Sequence, residues 1–126
     1  TWDDKEPLVD QDGRGFDNDY NQIPRAYAVA FVSSRDGGVL KGYVATGNGS
    51  YPGTCWEYNI DTDRWDEVTE LPAEMNRRVY AVGFTFNDYG YVTTGGSKMN
   101  APIDVDTWKF TPGIDEDDDN DYAPRE

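Results

Sequence analysis

The chain has 126 residues, with 25 acidic against 11 basic side chains and a formal net charge of −14. That length suits one small domain rather than two, and so acidic a body repels phosphate, which excludes nucleic acid as a partner. Histidine is absent, which removes His-based triads, His-ligated zinc or copper and imidazole acid–base work together.

In chain order, the first segment, 1–21, carries seven acids and two bases. It begins with Trp2-Asp3-Asp4, an internal likeness of Trp65-Asp66-Glu67, and is predicted as a strand followed by an Asp/Gly-rich loop. In that loop Asp10, Asp12, Asp17 and Asp19 present oxygen ligands, with glycines at 13 and 15 for tight turns. Calcium takes six to eight oxygens and tolerates irregular loops, and the segment resembles Asp-rich calcium loops such as thrombospondin type 3 repeats. It departs from the EF-hand template at Arg14 and Asn21, and a solvated loop accounts for the same residues. Calcium is therefore one of two readings here.

From residue 22 the chain repeats itself. Arg25-Ala-Tyr-Ala-Val-Ala-Phe-Val32 aligns with Arg78-Val-Tyr-Ala-Val-Gly-Phe-Thr85, five of eight positions being identical. Gly42-Tyr-Val-Ala-Thr-Gly47 aligns with Gly90-Tyr-Val-Thr-Thr-Gly95, and Trp56-Glu-Tyr58 with Trp108-Lys-Phe110. A period of this size is the mark of a repeat architecture. Both copies read as strands, being aromatic, β-branched and too short for helices. The first strand spans 26–32 or 79–86, the second 39–46 or 90–94, the third 54–60 or 106–111. Asp36-Gly37-Gly38 and Asn87-Asp88 are hairpin turns. The first copy adds a fourth strand, Arg64 to Val68, closed by Leu71-Pro72; one helical turn fits 73–78. Cys55, the single cysteine, reads as a buried thiol, since no basic residue flanks it. The chain closes on the tail 113–126, with seven acids against one base, a like-charge run of the self-repelling, flexible kind. No apolar run approaches the roughly 18 residues a membrane span needs.

The glycines after the second strand, the aromatic strand that follows and the Trp–Leu-Pro exit resemble the kelch repeat over roughly residues 22–112, most closely kelch-type proteins of bacterial envelopes. The resemblance implies an all-β chain with two four-stranded propeller blades in permuted order, strand four first. Blade one then covers 22–72 and blade two 73–112, the latter without its own fourth strand. Known propellers have about four to eight blades, so the implied partners are remaining blades or further copies of the chain. The location implied is outside the cytoplasm, at the periplasm or cell surface.

By the same resemblance Arg25 and Arg78, with Arg77 beside the latter, sit at the mouth of a central channel. Guanidinium forks suit acidic ligands there, although arginines that neutralise carboxylates between blades would look the same. Tyr51 offers a stacking surface for a sugar or peptide. The function expected is a non-catalytic binding or interaction module with a protein or glycan ligand. Two alternatives stand beside it: a segment of an epimerase- or hydrolase-like kelch enzyme with catalytic groups in other blades, and a calcium-stabilised structural or adhesive subunit. The copper chemistry of galactose-oxidase-like propellers needs histidines that this chain lacks.

Overall fold

The computed structural model describes residues 1–5, 25–49, 53–75, 78–96 and 104–113. The strands are β1 (Arg25–Ala26), β2 (Val29–Ser33), β3 (Lys41–Ala45), β4 (Asn48–Gly49), β5 (Thr54–Asn59), β6 (Arg64–Glu70), β7 (Val82–Phe86), β8 (Tyr89–Thr93) and β9 (Thr107–Phe110). All pairing is antiparallel. β2-β3-β5-β6 form one four-stranded sheet, β7-β8-β9 a three-stranded sheet, and β1 pairs with β4. The chain is thus all-β, and the helical turn expected after Pro72 is a 3₁₀ turn at Ala73–Met75. No helix among the described residues is long and apolar enough to cross a membrane. Residues 1–5 pair with no strand among the described residues, and Trp2 is 98% exposed.

The sequence repeat is also a structural repeat. Gly42 pairs with Val32 and Tyr58 in the first sheet, and Gly90 with Thr85 and Phe110 in the second. The spans 26–32 and 79–86, predicted as continuous strands, are each broken at one place. Tyr27 (φ 62°) and Tyr80 (φ 59°) adopt left-handed backbone conformations, which interrupts the ladder. Beyond the break pairing resumes as Ala26 with Asn48 and, equivalently, Val79 with Gly96. Glycine is required opposite each break: a Cβ on Gly47 or Gly95 would lie 2.6 Å from the carbonyl oxygen of Ala26 or Val79. The short turn Asn87-Asp88, with φ of 53° and 62°, supplies the two positive values that a tight twisted hairpin needs.

The two sheets pack face to face. Strand alternation turns Val29, Phe31 and Ser33 of β2 inward, all buried. The core gathers Val29, Phe31, Tyr43, Ala45, Cys55 and Val68 from the first repeat against Met75 and Val92 of the second, with Trp108 and Phe110 alongside. Burying a side chain of the size of Val or Phe stabilises by about 1.5–3 kcal/mol, so this seam is the main apolar contribution to the fold. Polar ties cross it as well. Thr85 Oγ1 donates to the Val32 carbonyl at 2.7 Å, Ser33 Oγ donates to the Asp88 carbonyl at 2.6 Å, and Arg35 stacks over Tyr89, its Cζ 3.7 Å from the ring centroid.

Candidate functional site

The candidate site lies where each repeat begins. Arg25 reaches across from β1 to the start of β5. Its Nη1 donates to the Thr54 carbonyl at 2.9 Å and the Thr46 carbonyl at 3.2 Å, and its Nη2 to Thr54 Oγ1 at 2.9 Å. Thr54 Oγ1 also accepts from Trp56 Nε1 at 2.7 Å, which holds the fully buried indole in place. Burial lowers the Arg25 pKa from its ordinary value, with the charges of Cys55 and Glu67 acting the other way.

Arg78 repeats the arrangement in the second copy with charged partners. It is 1% exposed. Its Nη2 lies 2.8 Å from Asp106 Oδ1 and its Nε 3.4 Å from Asp104 Oδ2, while Nη2 also donates to the Glu74 carbonyl at 3.3 Å. Trp108 Nε1 donates to Asp106 Oδ2 at 2.7 Å. Asp106 therefore stands to Arg78 and Trp108 as Thr54 stands to Arg25 and Trp56: the side chain two residues before the tryptophan binds both, through one hydroxyl oxygen in Thr54 and through the two carboxylate oxygens in Asp106. The indole N–H and the guanidinium hold the Asp106 carboxyl below its ordinary range. In both repeats the arginine thus ties the start of the repeat to its third strand. The Gly47 N–H, which donates to the Arg78 carbonyl at 2.7 Å, joins the two repeats at this end.

Two residues further on, the chain presents an aromatic pair that sequence reasoning did not single out. Tyr27 and Tyr80 meet with ring centroids 4.7 Å apart and planes inclined at 40°. They are 57% and 45% exposed. The neighbouring Tyr27 hydroxyl raises the Tyr80 pKa above that of an ordinary tyrosine. The spacing Arg-x-Tyr is present in both copies and is the signal that could have found them. What turns the rings outward is the left-handed backbone at each tyrosine, which nothing in composition announces.

Arg25 and Arg78 are brought to the same end of the packed sheets. Arg77, Tyr51 and the calcium candidates Asp10, Asp12, Asp17 and Asp19 lie outside the described residues. Among the described residues, no group of three or more Cys, Asp or Glu side chains gathers to hold a metal ion. Cys55 is buried, and burial pushes its thiol up to about 12, so it is neither a thiolate nor a nucleophile at neutral pH. The chain matches no protein-family model and no curated protein sequence.

Proposed function

We propose that the chain is a non-catalytic binding module built from kelch-like β-propeller blades, which gathers a glycan or peptide ligand at the end where Tyr27 and Tyr80 meet. The observation that carries this reading is the tyrosine pair itself. Two equivalent residues of two repeats converge in contact while both rings stay half-exposed. Each holds a backbone conformation uncommon for a non-glycine residue, of the kind that clusters at ligand sites. Arg25 and Arg78, two residues before the rings and bound to Thr54 and Asp106, act as positioning residues for this end. An aromatic face with hydroxyls at its rim suits stacking on a sugar ring or an apolar peptide side chain.

Affinity electrophoresis through gels carrying soluble polysaccharides tests the reading, with the release of reducing sugar followed on the same samples. Each aromatic contact is worth about 1 kcal/mol beyond its burial. The Tyr27→Ala/Tyr80→Ala variant should therefore bind at least about tenfold more weakly. Retardation that the variant loses, without sugar release, supports the module. Sugar release, or retardation unchanged in the variant, overturns it.

A further inference from the structure

The seam between the sheets has two sides, and the chain carries a second copy of each that meets no further sheet among the described residues. On one side, Phe31 of β2 stacks on Tyr43 (5.5 Å, 16°) and projects from the first sheet. On the other, the second sheet receives it at Gly90, where a Cβ would lie 2.2 Å from Phe31 Cε2, and receives Val29 at Gly83, where a Cβ would lie 2.8 Å from Val29 Cβ. Knob and notch are therefore residues of defined register.

The repeat places a second knob on the opposite face of the second sheet. Phe84, the equivalent of Phe31, stacks on Tyr91 (5.2 Å, 11°) in the same geometry. Here, however, the knob is exposed: Phe84 by 44%, and its strand neighbours Val82 and Phe86 by 53% and 63%. The repeat equally places a second notch on the outward face of the first sheet. Gly42, the equivalent of Gly90, has room for a Cβ, the nearest atom being Tyr58 Cβ at 3.9 Å. Around it lies an open groove of about 360 Å³, lined by Ala30, Gly42, Val44, Tyr58 and Trp65, with Phe84 at its rim. Val32 on that face is 49% exposed.

We infer that these two faces dock onto one another between copies of this chain, Phe84 of one copy entering the Gly42 notch of the next, as Phe31 enters the Gly90 notch within the chain. In the internal seam an aromatic knob already enters a glycine notch in the same strand register, although Ala30 stands on the first sheet where the internal notch has Gly83. Contiguous apolar faces of this kind mark association sites. Because the two faces differ, the contact is head to tail, and it closes into a ring or continues as a filament according to the rotation at each step. The docking is independent of what the tyrosine end binds.

Sedimentation velocity on the full chain over a range of concentrations, with Phe84→Asp and Gly42→Val, tests this. Wild type is expected above the 14.2 kDa of one chain, while each variant alone sediments as a monomer with an unchanged circular dichroism spectrum. Their equimolar mixture retains one intact knob (on the Gly42→Val copy) and one notch altered only at its rim (on the Phe84→Asp copy). It should therefore give a one-to-one dimer and nothing larger. A monomeric wild type, an assembled single variant or a monomeric mixture overturns the inference. A variant with an altered spectrum is replaced by Phe84→Ser or Gly42→Thr, which are held to the same outcomes.

Discussion

Phe31 rests against the backbone of Gly90 so closely that a single added methyl group would lie 2.2 Å from its ring. The same glycine in the first repeat, Gly42, has room to spare. Equivalent positions in the sequence thus have opposite tolerance in the fold. Gly90→Ala is expected to destabilise by about 1–3 kcal/mol through overpacking. Gly42→Ala should stay within about 0.5 kcal/mol of wild type when the two are compared under conditions that keep the chain monomeric. Urea unfolding followed by tryptophan fluorescence checks both.

The strands and turns were legible because short-range chemistry specifies them. Asp36-Gly37-Gly38 and Asn87-Asp88 supply turn backbones, and the alternation of small and large residues from Ala28 to Val32 marks a strand packed on a neighbour. The breaks at Tyr27 and Tyr80 were hidden, since a non-glycine residue in the left-handed region carries no compositional mark. The arginines were legible as a repeated pair, but not their partners. Thr54 and Asp106 differ in chemistry, and their meeting with Arg25 and Arg78 depends on how the third strand returns. Placing the arginines at a channel mouth rested on resemblance alone; the geometry shows them occupied with the strand start and the tryptophan.

The Arg78 pair should be sensitive to acid. The Asp106 carboxyl is held below its ordinary value of 3.8. Its contribution is therefore present above that value and is lost as pH falls through the lower folded value. Stability is expected to decline below about pH 4, and Asp106→Asn should lower the urea midpoint at pH 7 and flatten that decline. Arg78→Met removes the buried cation and leaves Asp104 and Asp106, 41% and 40% exposed, in reach of water. The variant should therefore lower the urea midpoint at pH 7 by less than breaking a fully buried pair would.

At the alkaline end the sign reverses. Burial works to lower the Lys41 pKa, but its bond to Asp36 at 2.6 Å and the nearby charge of Glu57 outweigh it, so its pKa lies above the ordinary 10.5. Burial, reinforced by the 2.8 Å bond its hydroxyl donates to Glu57, raises Tyr43 as well. Groups raised in the folded state stabilise fully below their unfolded values and lose that contribution as pH rises through the folded ones. The urea midpoint should fall above about pH 10.5, and less steeply in Lys41→Met.

Cys55 gives a direct report on the seam. Its thiol is buried, with a pKa pushed up to about 12. It should react with Ellman's reagent at pH 8 only after urea has unfolded the chain. Prompt reaction of the native protein would place it outside the core.

The repeat packing and the docking face both follow from Phe31 fitting the backbone at Gly90. A double-mutant cycle between Phe31→Ala and Gly90→Ala measures that fit directly. Once the ring is removed, the methyl group at position 90 should fill vacated space. Gly90→Ala is then expected to become neutral or stabilising, with a coupling of about 1 kcal/mol or more. Strictly additive costs would show that the ring and the glycine do not meet, and would contradict the account.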